Sequence, residues 1–256
     1  MVKDINTIAE WKQVLAKLRA AGQTIGFVPT MGALHRGHRS LVEQSVSEND
    51  VTVVSIFVNP TQFNDPNDLK NYPMTLEADR SLLEASKADY IYLPERQQLY
   101  PKDYRYKVIE TELSQRFCGA HRPGHFDGVL SVVMKLLNII EADRSYFGEK
   151  DWQQYLLIKG MAEAFFLNTA IIPCPLIREA DGLAYSSRNK LLTAEQRKLA
   201  PEFHEVLNSG ISINEMRTIL ESKGFEVDYI EMDSENNRIL GAVILGKVRL
   251  IDNVKR

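Results

Sequence analysis

The sequence predicts an α/β fold, in which a parallel sheet carries helices on both faces and a smaller α+β domain follows it. Short apolar runs alternate with helical patterns over the first two thirds of the chain, and this alternation is typical of a parallel sheet. From about residue 177 the order changes, since two helical patterns come first and three strand-like runs follow. We therefore predict two domains, residues 1–176 and residues 177–256.

The elements of the first domain follow from apolar runs and helix-start signals. The β-branched run at 51–58 has the composition of a strand that is buried on both faces. The predicted strands are 25–28, 51–58, 90–93, 145–147 and 170–174. The predicted helices start at the capping box of Thr7 and Glu10, after His38, at Thr75 (to Lys87), at Phe126 (to Ile140) and at Trp152 (to Leu167).

The second domain opens with two further capping boxes, Thr193 with Gln196 and Ser212 with Glu215. Its predicted strands are 225–232, 239–245 and 248–251. Two helices followed by adjacent strands indicate a small α+β unit.

Composition and charge exclude several classes of protein. The 256 residues include 31 Lys and Arg against 34 Asp and Glu, which gives a formal net charge of -3. A general nucleic-acid binder usually carries a basic excess, so we expect no nucleic-acid partner. The two cysteines make no disulfide framework, no apolar run approaches a membrane span, and the amino-terminal segment lacks the apolar core of a signal peptide. We expect a cytoplasmic protein without a membrane partner.

The segment PTMGALHRGH at 29–38 follows the first predicted buried strand and leads into a helix. His35 and His38 are three residues apart, so they share a face where the helix begins. Imidazoles and free backbone N–H groups at a helix start form a phosphate site. A chance pair of loop histidines is one alternative. A zinc site is another, with His121 and His125 as further ligands, although no Cys or acidic residue stands at zinc spacing.

Two more polar segments follow predicted strands. FGEKDWQQ at 147–154 offers Lys150 as a point charge for phosphate and Gly148 for a close backbone approach. The alternative is an ordinary helix start with Asp151 as its cap. IREADGLAYSSRN at 177–189 could close over a triphosphate and bring Arg188 against developing charge. The alternative there is a polar linker between domains.

Two glutamines complete the candidate set. Gln62 lies just past the strand at 51–58, and Gln154 lies one turn into the helix after Lys150. Amides orient a hydroxy-acid without adding charge, whereas an isolated glutamine is an ordinary surface residue.

Six ordered segments together resemble the pantoate–β-alanine ligase (pantothenate synthetase) family. They are PTMGALHRGH (29–38), VVSIFVNPTQF (53–63), PNDLKNYP (66–73), GAHRPGHFDGV (119–129), FGEKDWQQ (147–154) and IREADGLAYSSRN (177–189). Each motif alone is weak, and the ordered set is specific.

The resemblance implies a Rossmann-like nucleotidyltransferase fold of the HxGH type with a smaller C-terminal lid. It also implies a two-step reaction. Pantoate and ATP give pantoyl adenylate and pyrophosphate, and β-alanine then converts the adenylate to pantothenate and AMP. ATP used with Mg²⁺ and a homodimer are further implications.

The resemblance also assigns site residues. It gives catalytic roles to His38, His35, Lys150 and Arg188, and pantoate or β-alanine binding to Gln62 and Gln154. It assigns ATP binding to Met31, Gly32, Ala33, Leu34, His35, Arg36, Gly37, His38, Gly148, Glu149, Lys150, Asp151, Ile177, Tyr185, Ser186, Ser187 and Arg188.

The chain departs from the family pattern in three respects. Tyr185 stands where a smaller or unbranched apolar residue is usual, which affects packing on the adenine side. Ala78 interrupts a run of acids that has been linked to the metal in some relatives, which leaves Asp79 as a candidate metal contact. The C-terminal part is short for the family.

Two other functions compete with the ligase. A nucleotidyltransferase that releases a stable dinucleotide shares the HxGH pattern, but it does not explain the two glutamines or the SSRN loop. A non-catalytic nucleotide-binding regulator does not explain the retention of His35, His38, Lys150 and Arg188.

Overall fold

A computed structural model describes all 256 residues and contains two sheets. The strands are β1 (Lys3–Ile5), β2 (Ile25–Thr30), β3 (Val51–Ile56), β4 (Tyr90–Tyr92), β5 (Pro101–Tyr104), β6 (Arg144–Gly148), β7 (Ala170–Cys174), β8 (Glu226–Asp233), β9 (Arg238–Leu245) and β10 (Val248–Lys255). The helices are α1 (Ile8–Ala20), α2 (Arg36–Glu48), α3 (Pro66–Lys70), α4 (Leu76–Ala85), α5 (Arg96–Leu99), α6 (Cys118–His121), α7 (His125–Ile140), α8 (Trp152–Ala164), α9 (Ala194–Leu199), α10 (Pro201–Leu207) and α11 (Ile213–Ser222).

The larger sheet is parallel and has the strand order β1-β4-β3-β2-β6-β7. The chain builds one side of the sheet from β2 through β3 to β4 and then crosses to the other side of β2 at β6. Ligands of such sheets bind beyond the carboxyl ends of the strands, at the point where the strand order reverses. That point lies at the end of β2.

Successive residues of the central strands enter two different cores. Phe27 and Val53 pack on one face of the sheet with α1, α7 and α8, whereas Val28 and Val54 pack on the other face with α2 and α4. Side chains alternate between faces along a strand, so a strand covered on both sides needs a continuous apolar run. The predicted α/β class is confirmed.

The second sheet is antiparallel, with the order β10-β9-β8. It packs with α10 and α11 around a separate cluster of 15 buried residues that begins at Leu183. Tyr229, Leu240 and Ala242 of this sheet belong instead to the large cluster of the parallel sheet. The separate cluster supports our proposed division at residues 176 and 177.

Several boundaries differ from the sequence prediction. β1 was not predicted, because its three residues include Lys3 and Asp4 and show no apolar pattern. The helix expected at Thr75 spans α4 only, and Thr75 makes no side-chain cap. Its hydroxyl donates instead to the carboxylate of Asp79 at 3.1 Å. None of the helices combines the length and the apolar composition that crossing a lipid bilayer requires.

Helix α7 lies against the 3₁₀ turn Pro60–Gln62, which follows β3 and carries a candidate site residue. The contact is made at Gly128, where an added Cβ would lie 2.4 Å from the carbonyl oxygen of Thr61 and 2.8 Å from the Cα atom of Gln62. A side chain at this position therefore displaces the turn itself.

We predict that Gly128→Ala lowers the free energy of unfolding by about 1–3 kcal/mol, because backbone atoms must move to admit the methyl group. Gly160→Ala is the matched control, since Gly160 also lies inside a helix but has no neighbour within 4 Å of an added Cβ. That control should gain about 1 kcal/mol of stability. Urea denaturation of both variants measures the difference, and a stabilised Gly128→Ala protein would contradict the packing.

Candidate active site

One cavity opens at the carboxyl ends of β2, β3, β6 and β7, where four chain segments meet. The predicted site residues that line it are Met31, His35, Gly37, His38, Gln62, Gly148, Lys150, Asp151, Gln154, Ile177, Tyr185, Ser186, Ser187 and Arg188. The predicted residues that do not line it are Gly32, Ala33, Leu34, Arg36 and Glu149. The structure thus brings together residues from all of the polar segments singled out in the sequence.

The two histidines begin helix α2 as a reciprocal pair. His35 is the N-cap, and its Nδ1 atom accepts the backbone N–H of Gly37 at 3.1 Å. The Nδ1 atom of His38 accepts the backbone N–H of His35 at 3.3 Å. A neutral imidazole that accepts at Nδ1 carries its proton at Nε2. Each ring therefore keeps one N–H donor for a ligand, and the ring centroids lie 4.0 Å apart.

Both imidazoles are neutral near pH 7. Burial and the nearby Lys150 ammonium lower the pKa of His35 to about 4. Burial, the neighbouring His35 and Lys150 hold the pKa of His38 well below its ordinary value. These two rings act as hydrogen-bond donors rather than as fixed cations before any anion is bound.

Residues 32–34 form the turn between β2 and α2, behind the residues that line the cavity. Gly32 and Ala33 adopt the left-handed conformation, with φ of 82° and 51°. The backbone N–H groups of Ala33 and Leu34 donate to the two carboxylate oxygens of Asp79 at 3.0 and 2.7 Å. The family resemblance assigns these residues to ATP, and in the structure these two N–H groups donate to a buried carboxylate.

Asp79 is only 2% exposed, and both of its oxygens accept hydrogen bonds from protein donors. Asp79 also does not line the cavity, so the structure gives no support to the suggestion that this carboxylate contacts a metal. Its role is to hold the loop between β2 and α2. A pattern search missed this because the contact joins residues 45 and 46 positions apart.

The second segment passes from β6 through the 3₁₀ turn Glu149–Asp151 into α8. The ammonium of Lys150 lies 3.7 Å from the Asp151 carboxylate, and both residues line the cavity. Asp151 occupies the N-cap position of α8, as the alternative interpretation expected, but its side chain makes no capping hydrogen bond. The Glu149 carboxylate turns away from the cavity and pairs with Arg238 at 2.6 Å.

The third segment, 177–189, lines the cavity and is not a free linker. The Ser186 hydroxyl accepts the backbone N–H of Arg188 at 3.2 Å, which starts a 3₁₀ turn. The guanidinium of Arg188 pairs with Asp68 at 2.9 Å. The Tyr185 ring is stacked near the His35 ring, with a centroid separation of 6.2 Å. Tyr185, where the chain departs from the family pattern, therefore lies beside His35, one of the candidate phosphate-binding residues.

The Gln62 amide is oriented by a neighbour that the sequence analysis did not select. Asn59 donates from Nδ2 to the Gln62 Oε1 atom at 2.9 Å, and the Tyr100 hydroxyl donates to Asn59 at 2.9 Å. These bonds leave the Gln62 N–H₂ group directed at the Met31 sulfur and available to a ligand.

Arg122 is a second cavity residue that was missed. Its guanidinium donates to the His125 Nε2 atom at 3.0 Å and to the Gln62 carbonyl oxygen at 3.3 Å, and no carboxylate lies within salt-bridge distance. Burial is the main reason that the pKa of Arg122 is lowered. Cys118 raises this pKa in part, and the charges of Arg249 and Arg188 lower it further. A half-buried cation without an acidic partner is suited to an anionic ligand.

Comparison with known proteins agrees with this arrangement. The family model described as pantoate-beta-alanine ligase matches residues 3–255. A pantothenate synthetase of Bdellovibrio bacteriovorus is 53% identical over 237 residues, which cover 93% of this chain and 94% of that protein. A pantothenate synthetase of Coxiella burnetii is 48% identical over 254 residues, which cover 99% and 97%.

This chain belongs to the pantoate-beta-alanine ligase family.

Solved structures of the family share the whole fold. The Francisella tularensis pantoate-beta-alanine ligase, in complex with beta-gamma ATP and beta-alanine, has a TM-score of 0.94 and 43% identity, with coverage of 100% of this chain and 98% of that one. Pantothenate synthetase from Thermus thermophilus has a TM-score of 0.87 and 37% identity, with coverage of 99% of both chains.

The donor geometry of this family member does not fit the zinc alternative. No three His, Cys, Asp or Glu side chains converge on a point that could hold a metal ion. His121 pairs with Asp228 at 2.6 Å, and His125 donates from Nδ1 to the Gln62 carbonyl oxygen at 2.7 Å. The histidines at 35 and 38 use their Nδ1 atoms for backbone N–H groups.

We predict that Asp79→Asn lowers the free energy of unfolding by about 1–3 kcal/mol. The substitution replaces one carboxylate oxygen with an N–H₂ group, which leaves a buried loop N–H without an acceptor. Glu77→Gln, an exposed change on the same helix, should stay within about 0.5 kcal/mol of the unmodified protein. Chemical denaturation at pH 7 compares the three proteins. Equal stability of the two variants would show that the carboxylate does not hold the loop.

Proposed function

We propose that this chain condenses pantoate with β-alanine in an ATP-dependent reaction that forms pantothenate, AMP and pyrophosphate through a pantoyl-adenylate intermediate. Membership of the pantoate-beta-alanine ligase family supports the reaction. The observation that carries it is one cavity lined by two kinds of group, namely donors suited to phosphate and neutral amides suited to a hydroxy-acid. The first kind comprises the imidazoles, Lys150 and the Ser186–Arg188 turn, and the second comprises Gln62 and Gln154.

The first step joins two anions, since a carboxylate oxygen of pantoate attacks the α-phosphorus of ATP and pyrophosphate leaves. Charge repulsion makes this encounter slow in water, so catalysis consists of positioning and of donors placed around the phosphates. We assign phosphate contacts to Lys150 and to the Nε2–H groups of His35 and His38. Arg188 joins them when it exchanges Asp68 for a phosphate oxygen. Gln62 and Gln154 hold the pantoate.

The second step makes the amide bond. The amine nitrogen of β-alanine attacks the acyl carbon, the bond from that carbon to the phosphate oxygen breaks, and AMP leaves with the electron pair. The amine must lose a proton before it attacks. We assign the β-alanine carboxylate to Arg122, because this guanidinium lies beside Gln62 and has no carboxylate of its own.

The residues that line this site fit a magnesium ion that binds together with the triphosphate. Mg²⁺ keeps several waters and is usually held by one or two carboxylates together with substrate phosphates, so it requires no protein cage. Asp151 is the carboxylate that lines the cavity beside Lys150. The ion would neutralise part of the phosphate charge when it is bound. Loss of pyrophosphate release on chelation with EDTA, restored by Mg²⁺, would support this assignment.

A homodimer and a cytoplasmic location are also part of the proposal. The family resemblance supports both, and two buried free cysteines are compatible with a reducing compartment. Sedimentation velocity of the purified chain tests the dimer.

An AMP assay with each substrate omitted in turn tests the reaction itself. We predict AMP formation only when pantoate, β-alanine and ATP are all present, and pyrophosphate release with pantoate and ATP alone. AMP formation that does not depend on β-alanine would contradict the proposed ligase reaction. A stable dinucleotide product would favour the other nucleotidyltransferase chemistry, and turnover equal to a blank without enzyme would favour a non-catalytic regulator.

Two variants separate the proposed roles in phosphate and pantoate binding. We predict that His38→Ala lowers the rate of pyrophosphate release by about 10²-fold or more, because it removes a donor placed against developing phosphate charge. Gln62→Ala should raise the KM for pantoate and leave ATP affinity unchanged. Steady-state kinetics and calorimetry with ATP make the comparison. Near-normal pyrophosphate release by His38→Ala, or a loss of ATP affinity alone in Gln62→Ala, would refute the respective role.

A further inference from the structure

Strand β10 of the C-terminal sheet carries two successive buried polar residues beside the cavity loops. Asp252 is 4% exposed and Asn253 is 3% exposed. Neither belongs to the candidate machinery described above. Adjacent residues of a strand direct their side chains to opposite sides, so these two can reach different partners from one place in the fold.

Asn253 binds the backbone of the segment that presents Lys150. Its Nδ2 group donates to the carbonyl oxygens of Glu149 and Lys150 at 2.8 and 3.2 Å. Its Oδ1 atom accepts from the Arg238 guanidinium, which also pairs with the Glu149 side chain. Arg238 in turn lies 3.9 Å over the Trp152 ring. The turn that carries the phosphate-directed lysine is therefore held by Asn253 and Arg238 of the C-terminal sheet.

Asp252 binds the other loop. Its two oxygens accept from the two terminal nitrogens of Arg178 at 2.6 and 2.9 Å. Arg178 also donates to the Gly182 carbonyl oxygen at 3.0 Å and forms an isolated bridge with Ala184. This guanidinium thus shapes the turn that leads directly into Tyr185–Arg188. No other carboxylate pairs with Arg178, and the Asp252 side chain is almost fully buried.

We propose that Asp252 and Asn253 are positioning residues, which hold the two nucleotide-facing loops of the proposed reaction from one strand of the C-terminal sheet. The inference rests on the proposed function, because it assigns the effect to Lys150 and Arg188. Neither residue lies among the groups assigned to ATP, so each acts through a loop. A misplacement of about 1 Å at a reacting group is sufficient to cost about 10²-fold in rate.

A purely architectural role would give a different result. Polar contacts that only attach the C-terminal sheet would change stability and leave the coupling to individual loop residues at zero. A double-mutant cycle measures that coupling directly, since residues that act through one another have non-additive effects.

The experiment uses the full chain and measures pyrophosphate release with pantoate and ATP. Asn253→Ala is made in the unmodified protein and in Lys150→Ala, and Asp252→Asn is made in the unmodified protein and in Arg188→Ala. Asn236→Ala is the control, because this asparagine of the turn between β8 and β9 donates its amide to Asp233 at 2.9 Å and makes no hydrogen bond to either loop. Thermal unfolding confirms that each variant is folded at the assay temperature.

We expect Asn253→Ala to lower the rate by at least about 10-fold in the unmodified protein and by less than about 2-fold when Lys150 is already absent. The Asp252→Asn cycle with Arg188 should behave in the same way, and Asn236→Ala should match the unmodified protein. If a parent variant turns over too slowly for a rate, ATP affinity by calorimetry completes the same cycle.

Two results overturn the inference. One is unchanged pyrophosphate release in folded Asn253→Ala and Asp252→Asn proteins. The other is an equal fold-loss with and without the loop residue, which would mean an architectural role. Failure of the unmodified protein to release pyrophosphate is a separate outcome. It would overturn the proposed function, and the inference that rests on it would fall with it.

Discussion

A loop has no hydrogen-bond ladder of its own, and this constraint governs the whole cavity. Backbone N–H and C=O groups that are buried need partners, and two of the cavity loops take them from polar side chains in distant parts of the chain. Asp79 receives the N–H groups of the loop after β2, and Asn253 donates to the carbonyls of the turn after β6. The loops after β2 and β6 are therefore held in part by residues that lie outside the motifs.

The fold makes those contacts possible by bringing strand ends together. The order of the parallel sheet reverses at β2, which places the loops after β2, β3, β6 and β7 around one opening. The antiparallel sheet then covers the outer side of two of them. It shares Tyr229, Leu240 and Ala242 with the core of the parallel sheet, so apolar packing and buried polar bonds attach it over the same area.

The sequence was sufficient for elements whose signal is local. The strand at Ala170–Cys174 was predicted with its observed bounds, and the capping boxes at Thr193 and Ser212 are present. The sequence was not sufficient for β1, whose pairing with β4 spans more than 80 residues and leaves no periodic trace. For the same reason the motifs identified the groups around the cavity, whereas the role of Asp79 required the tertiary structure.

The charges around the cavity also explain how the proposed triphosphate site can exist before its ligand arrives. Cations collected in a half-buried pocket repel one another, which disfavours the folded chain. Here the imidazoles are neutral donors, Lys150 lies near Asp151, and Arg188 pairs with Asp68. The Arg188 and Asp68 side chains are about one third exposed, and pairs of this kind contribute about 1 kcal/mol or less. Exchange of the Asp68 carboxylate for a phosphate oxygen therefore costs little, and Arg188 becomes free for a phosphate when an anion has entered.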